Sequence, residues 1–162
     1  MFRNMLRKKQ LLSREATVDI LKAGTSGVLG VTGDDGYPYT VPLSYALEGD
    51  TLFFHCAKKG HKIDAIERND KVSFCVISKD EVMPQTFTTH FGSAIVFGRA
   101  RILTDDSERR HALECLVAKY SPGYLAEGQR EIEREWARVC VIELKIEHMT
   151  GKTAIELVDV SK

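Results

Sequence analysis

Residues 34–57, DDGYPYTVPLSYALEGDTLFFHCA, contain two strand-like runs separated by turn signals, and this pattern decides the fold class. Asp35-Gly36 precedes the first run, and Asp-Gly tolerates the positive φ angles of hairpin turns. A second turn signal, EGD, separates the run at 37–47 from the run at 51–57. Pro38 and Pro42 lie within the first run and cannot donate ladder hydrogen bonds. They predict an edge strand, a bulge or a backbone that serves a ligand.

Similar strand-like runs occur on both sides of this segment. They are SGVLGVTG at 26–33, KVSFCVIS at 71–78, HFGSAIVFGRARIL at 90–103 and VCVIELKIEHM at 139–149. The last run alternates apolar with charged residues, which is typical of a half-buried strand. Within the third, Gly92 and Gly98 predict a bend or a bulge.

Three helices are predicted between the strands. Ser13 is a suitable N-cap for the first, which ends at Gly24, and the second begins close to His61. Asp105 caps the third, and the charged segment around Trp136 is expected only to lead to the last strand. Hairpin turns dominate and regular strand–helix–strand alternation is missing. The pattern therefore favours a mainly β, antiparallel barrel with peripheral helices.

The composition bounds the class of protein. A chain of 162 residues with 43% hydrophobic content is most simply one domain, 1–162. Its 23 basic and 23 acidic residues balance, so the charge gives no case for a nucleic-acid partner. The basic N-terminal segment lacks the apolar run of a signal peptide, and no segment approaches the roughly 20 apolar residues of a membrane span. We therefore expect a cytoplasmic protein with no membrane partner.

The stretch HCAKKGHKIDAI at 55–66 places positive charge at the start of the second predicted helix. Lys58, Lys59, His61 and Lys62 surround Gly60 there. Cations at a helix N-terminus oppose the helix dipole, whereas a bound phosphate would accept the free N–H groups and gain from both charges. Gly60 would let the backbone approach such an anion closely. Either these residues form an anion site or the lysines lie on a solvated turn.

Four ordered blocks give the chain a resemblance to a known family. They are MFRNMLRKKQLLS, GDDGYPYTVPLSYAL, LFFHCAKKGHKIDAI and VFGRARIL. Together they resemble the FMN-binding split barrels related to pyridoxamine 5′-phosphate oxidase, and within them the nitroimidazole-resistance reductases. The likeness extends over nearly the whole chain, to MTGKTA near its end.

The resemblance implies a six-stranded split barrel that forms a homodimer and holds FMN at the subunit interface. It assigns the phosphate to the segment GHK, where His61 stands in place of the arginine of the oxidases; imidazole offers fewer donors, so phosphate affinity would be weaker or pH-dependent. The flavin ring would lie along the strand around Pro42. For Leu43 and Ala57, core packing is an equally good interpretation. The residues implied to contact the cofactor are Thr40, Val41, Pro42, Leu43, Ser44, His55, Cys56, Ala57, Lys59, His61, Lys62 and Ser93.

The implied activity is that of an FMN-dependent oxidoreductase acting on a small oxidised organic acceptor, such as a nitroimidazole or another nitroaromatic. His55 ends a strand at the implied flavin rim and is the candidate catalytic proton donor; a locally hydrogen-bonded histidine is the alternative. Trp136 and His148 do not match the late residues with which the vitamin oxidases hold pyridoxal phosphate. Vitamin oxidase activity is therefore not expected.

Several alternatives remain open at this point. The chain could be a flavin binder without enzymatic activity, a basic-loop binding protein without flavin, or a haem-binding split barrel with His55, His61 or His90 as axial ligand. His111 and Cys115 are four residues apart on a predicted helix and could face one metal. Two ligands without a third do not make a site, so no metal is predicted.

Overall fold

The computed structural model describes residues 1–158, and the last four residues of the predicted domain 1–162 lie outside this range. Its helices are α1 Arg14–Ala23, α2 His61–Arg68, α3 Asp106–Tyr120 and α4 Leu125–Glu135. Its strands are β1 Gly27–Thr32, β2 Pro38–Leu43, β3 Ala46–Glu48, β4 Thr51–Ala57, β5 Lys71–Met83, β6 Thr88–Ile102 and β7 Val139–Thr153. None of these helices combines the length and apolar character needed to cross a membrane.

The strands form one antiparallel sheet in the order β2-β1-β5-β6-β7-β4-β3. The predicted antiparallel split barrel is confirmed, with seven strands where six were expected. The difference arises in the run 37–47, which was predicted as a single strand. It breaks at Ser44 and Tyr45 into β2 and β3, and these two strands lie at opposite edges of the sheet.

This break shows how the sheet curls. Only Ser44 and Tyr45 separate the end of β2 at Leu43 from the start of β3 at Ala46. Three extended residue steps span at most about 10 Å, so the two outermost strands must come within that distance of each other. Within the described chain no ladder joins β2 to β3. The sheet is therefore curled into a barrel but left open along one line.

The inner core fills the curled sheet. Phe54 and Phe74 pack edge to face with ring centroids 5.1 Å apart, and Tyr45 contacts Phe74 at 4.9 Å. The buried Tyr45 hydroxyl donates to the Leu21 carbonyl of α1 at 2.7 Å. Helix α2 contributes a further buried residue, Ile66, to the same cluster. Helices α1 and α2 thus close the barrel around these aromatic rings.

A second core lies outside the barrel, where α3 and α4 cover the end of the sheet. Phe53 of β4 and Val141 of β7 point outward and pack against Leu113 and Leu116 of α3. Helix α4 adds Ile132 and was missed in the sequence, because its other apolar positions are few among many charges. The helical layer on this side is therefore thicker than expected.

The predicted caps and irregularities of the chain are confirmed. Ser13 Oγ accepts from the Ala16 N–H at 3.1 Å, and Asp105 caps α3. The β5–β6 register shifts beside Gly92, and the β6–β7 register shifts at Gly98. The extra residues at these shifts are Ser78 on β5 and Glu147 on β7, opposite the predicted glycines of β6. Because a bulge bends the strand that contains it, β5 and β7 can follow the curvature of the barrel.

Candidate functional site

Helix α2 begins directly after the basic loop that follows β4. Its N-cap residue, Gly60, has φ 137° and ψ 166°, a conformation essentially restricted to glycine. The Gly60 carbonyl accepts from the N–H groups of Ile63 at 2.9 Å and Asp64 at 3.2 Å. No side chain of the described residues caps the helix. The N–H groups of His61 and Lys62 therefore face outward, where the helix end favours an anion.

His61 is held against the turn between β1 and β2. Its Nε2 accepts from the Asp34 N–H at 3.3 Å, and its ring stacks on Tyr39 with centroids 4.1 Å apart. The Asp34 carboxylate accepts a hydrogen bond from Arg68 at 2.7 Å, and this contact lowers the pKa of Asp34. Because Nε2 accepts, the neutral ring carries its proton on Nδ1. The residue predicted to bind phosphate thus has only Nδ1–H left for a ligand.

Strand β2 forms one edge of the sheet, because it pairs only with β1. At the turn between them, the Gly33 N–H donates to the Tyr37 carbonyl at 2.8 Å. Gly33 and Tyr37 are thus a hydrogen-bonded pair of the β1–β2 ladder. Hydrogen-bonded positions alternate along an antiparallel strand, so every second residue of β2, starting directly after Tyr37, directs its N–H and carbonyl away from β1. They are Pro38, Thr40 and Pro42. The prediction of an edge strand is therefore confirmed, and the prolines lack an N–H only where no strand would accept it.

The open edge of β2 offers a short pattern of backbone groups. It presents the carbonyls of Pro38, Thr40 and Pro42 but only the N–H of Thr40. Thr40 and Pro42 are exposed, whereas Val41 and Leu43 turn their side chains toward the inner core. For Leu43 the structure thus favours the packing interpretation for its side chain.

Ser44 and His55, both predicted to contact the cofactor, line one cavity of about 310 Å³ beneath α3 and α4. Its other walls are mostly apolar and include Leu116 and Val139. Tyr120 also lines it and is fixed by its hydroxyl, which accepts from a backbone N–H at 2.8 Å. His55 is exposed on the outer side of β4. The polar groups of the lining are one imidazole, three hydroxyl-bearing residues (Ser44, Tyr120 and Ser121) and two carboxylates (Glu131 and Glu135). A small, flat organic molecule would thus meet mainly apolar walls with a few polar groups.

A second cavity of about 330 Å³ lies next to the first, since Val139 lines both. Lys58 and Arg109 bring positive charge to it. Arg109 is only 13% exposed and donates to the carbonyls of Trp136 at 2.9 Å and Val139 at 3.3 Å. Sequence reasoning missed this arginine. Its spacing from Ala112, Leu113 and Leu116 would have placed it on the buried face of α3.

Cys56 and Cys140 are directly opposite each other on β4 and β7. The interaction between the two thiols, helped by Arg109 and Lys62, lowers the pKa of Cys140 and raises the pKa of Cys56. Cys56 packs against the inner core, and Ala57 is exposed on the other side of the strand. The Cys56 thiol therefore faces its neighbour and the core, away from His55.

Ser93 lies elsewhere in the chain. On β6 it is opposite Lys152 of β7, whereas His55 is opposite Val141 of the same strand. Eleven residues separate these partners, which is about 35 Å along a strand. Within one chain, Ser44 and His55 therefore line the same cavity, and Lys62 lies at the start of α2. Ser93 is far from His55.

The outer face of the sheet around Ser93 and Thr40 is largely apolar and exposed. Val28, Ile77, Ile95 and Phe97 each expose more than a third of their surface. Phe2 covers part of this face by stacking on His148 at 4.7 Å. A cavity of about 640 Å³ over it is lined by Thr40 and Phe97 among others.

The chain was then compared with known proteins. The family described as pyridoxamine 5′-phosphate oxidase matches residues 13–153. An uncharacterized protein of Rhizobium meliloti is 30% identical over 154 residues, covering 90% of this chain and 95% of the relative. The family match extends over the sheet and all four helices.

Three solved structures are similar to the fold. A Bacteroides thetaiotaomicron protein named for 5-nitroimidazole antibiotic resistance has a TM-score of 0.73 at 24% identity, covering 88% of this chain and 86% of that one. A FAD-binding protein of Mesorhizobium loti has a TM-score of 0.65 at 26% identity, with 90% and 97% covered. A FAD and haem binding protein of Mycobacterium smegmatis has a TM-score of 0.77 at 24% identity, with 90% and 73% covered. With most of its length matched by the family, this chain belongs to the pyridoxamine 5′-phosphate oxidase family.

Proposed function

We propose that the protein is an FMN-dependent oxidoreductase that acts as a homodimer and reduces a small oxidised organic molecule such as a nitroaromatic. The observation that carries this proposal is the start of α2, where the outward N–H groups of His61 and Lys62 follow Gly60 in a segment that contains three lysines. Family membership supports a flavin at such a site. A bound FMN would supply the electron transfer, while the chain binds and orients it.

The residues at α2 fit a phosphate group. A Cβ at Gly60 would have no heavy atom outside its chain neighbours within 4 Å, so the space beside this residue at the helix start is open. Lys62 is half-buried at the same turn, and Lys58 and Lys59 lie just before it. A dianionic phosphate would accept hydrogen bonds from the N–H groups of His61 and Lys62 and would neutralise the lysines.

The open edge of β2 fits the polar edge of a flavin ring. The ring carries both carbonyl acceptors and an N–H donor, and β2 offers carbonyls together with the Thr40 N–H. The stacking of His61 on Tyr39 joins α2 to the beginning of β2, so the two binding elements are neighbours. In this arrangement the prolines have a purpose, because they keep another strand from pairing there.

The cavity beneath α3 and α4 suits the organic acceptor. Its volume of about 310 Å³ lies at the lower end of ligand pockets, which agrees with a small substrate. We assign His55 the role of holding and donating a proton to the bound acceptor, and Ser44 a hydrogen bond that orients it. The name of the Bacteroides relative supports a nitroimidazole as the acceptor to test first.

The proposed dimer uses the outer face of the sheet. Its exposed apolar residues, Val28, Ile77, Ile95 and Phe97, would be covered by a second copy. Because Ser93 is remote from His55 along β7 in one chain, we assign the contact between Ser93 and the cofactor to the partner's copy. This assignment agrees with the predicted position of the cofactor at a subunit interface.

The first experiment identifies the cofactor. We expect the purified protein to show flavin absorbance and to release FMN, separable from FAD by chromatography. A Soret band would favour the haem alternative, which the Mycobacterium smegmatis relative suggests. A colourless protein that does not bind added FMN would contradict the proposal.

The second experiment distinguishes an enzyme from a passive flavin binder. Photoreduced protein is mixed with metronidazole in a stopped-flow instrument, and flavin reoxidation is followed. The proposal requires reoxidation to be faster than that of free reduced FMN. A His55→Ala variant should bind FMN normally but react more slowly, because His55 lines the acceptor cavity. Equal rates for protein and free FMN would leave only the binding function.

A further inference from the structure

We propose that Glu48, His111 and Cys115 form a binding site for a divalent transition metal, best suited to Zn²⁺. In the sequence, His111 and Cys115 alone supplied only two ligands. The fold adds the third, because β3 ends at Glu48 beside the middle of α3. This site is separate from the cavity that contains Ser44 and His55.

The three donor groups converge on one region. Glu48 Oε2 lies 2.6 Å from His111 Nε2, and Cys115 Sγ lies 3.7 Å from the same nitrogen. Cys115 Sγ is also 3.8 Å from Glu48 Oε1. The ligand atoms all lie within 4.8 Å of one another. Each residue thus directs its metal-binding atom toward the other two.

These separations fit tetrahedral zinc. With zinc–sulfur bonds of about 2.3 Å and zinc–nitrogen or zinc–oxygen bonds of about 2.0–2.2 Å, tetrahedral angles put sulfur about 3.6 Å from either other ligand. The observed distances from Cys115 Sγ, 3.7 and 3.8 Å, agree with this geometry. The Glu48–His111 contact, made by Oε2 at 2.6 Å, must open by less than about 1 Å when a cation replaces the shared hydrogen bond. The carboxylate must also turn slightly, because its 3.8 Å contact to Cys115 is made by the other oxygen, Oε1.

The surroundings favour a cation. Within residues 1–158, His111 is the only salt-bridge partner of Glu48, so no lysine or arginine neutralises that carboxylate. The His111 ring packs edge-on against Phe53, with centroids 6.0 Å apart, which fixes its orientation. His111 and Cys115 are one turn apart on a well-formed helix, α3. Two ligands are therefore already positioned before a metal arrives.

A set of one thiolate, one imidazole and one carboxylate leaves the fourth tetrahedral position to water or another small ligand. Bound there, Zn²⁺ would join α3 to the β3–β4 hairpin. His111 is 53% and Glu48 54% exposed, so the metal can exchange with solvent. The inference does not depend on the identity of the flavin or of the organic substrate.

The test is metal binding by the full-length, chelator-treated protein. We expect one Zn²⁺ per chain by mass spectrometric metal analysis, and Co²⁺ should give a thiolate charge-transfer band together with tetrahedral ligand-field bands. Cys115→Ser and Glu48→Gln should each weaken Zn²⁺ binding by more than about 100-fold, since even outer-shell partners contribute 10–100-fold. The control Cys75→Ser removes another half-buried thiol outside the cluster and should bind like the wild type.

Circular dichroism is used to check that each variant is folded, and Glu48→Gln keeps the shape of the side chain. The inference is overturned if the wild type retains no Zn²⁺, which would identify a hydrogen-bonded surface triad only. It is also overturned if the Co²⁺ charge-transfer band and Zn²⁺ affinity survive in Cys115→Ser. Loss of binding in both ligand variants but not in Cys75→Ser supports it.

Discussion

Replacing Lys62 by glutamate separates the two roles of charge at the start of α2. The wild-type lysine lies in the first turn, where the helix dipole disfavours it. A glutamate side chain would suit that position and should stabilise the cofactor-free protein by about 0.3–1 kcal/mol. The same change removes a charge-assisted contact to phosphate, with a cost to FMN binding of about 1.5–3 kcal/mol. The two effects have opposite signs, so general misfolding cannot produce both.

The free-energy loss corresponds to an FMN dissociation constant raised roughly 10- to 150-fold. It is measured by the quenching of flavin fluorescence on titration, and the stability of the cofactor-free protein is measured by urea unfolding. The matched control is Lys145→Glu, an exposed lysine on β7. It makes the same change of net charge and should leave FMN affinity nearly unaltered. If Lys62→Glu binds FMN as tightly as the wild type, the phosphate does not lie at α2.

Three further predictions concern stability. Gly60→Ala forces a side chain into φ 137° without a steric clash, so torsion alone should cost about 1–3 kcal/mol in urea unfolding; an unchanged midpoint would mean that the loop can relax. Tyr45→Phe leaves the buried Leu21 carbonyl without its hydroxyl donor and should cost about 1–3 kcal/mol, seen as a lower Tm; a Tm at or above that of the wild type would show that water replaces the donor. Arg68 lowers the pKa of Asp34 from its usual 3.8, so this contact stabilises the fold above that pH and is lost as pH falls through the lower, folded-state value. The free energy of unfolding of Asp34→Asn should therefore fall less steeply with decreasing pH than that of the wild type. If the two proteins lose stability in parallel as pH falls, the Asp34–Arg68 contact does not contribute to acid stability.

Local patterns in the sequence were sufficient for most of the fold. Turn chemistry at Asp35-Gly36 and caps at Ser13 and Asp105 depend on neighbouring residues, so they could be interpreted without the tertiary structure. The break at Ser44 and Tyr45 could not, because both residues continue a plausible strand pattern. That break is imposed by the buried position of Tyr45 beneath α1, which is a long-range contact.

Only part of the candidate site could be predicted from the sequence, because some of its contacts join residues that are distant along the chain. Gly60 and Lys62 are neighbours in sequence, and their positions at the start of α2 agree with the prediction. His61 engages Asp34 and Tyr39, which are distant along the chain, so its position against the β1–β2 turn was not foreseeable. Glu48 reaches His111 across 63 residues, and no local spacing signals such a meeting.

The place of β7 between β6 and β4 has a consequence for biosynthesis. Until β7 is present, the β3–β4 hairpin has no ladder to the other four strands within the described chain. Only the chain segments on its two sides, the Ser44–Tyr45 connection to β2 and the segment containing α2 that leads to β5, join it to them. A ribosome-bound nascent chain that has not released residues 139–153 therefore holds two separate sheet fragments. We expect the barrel to be completed only after translation has passed the last strand, so C-terminal truncations should be cleared by proteases while the intact polypeptide resists them.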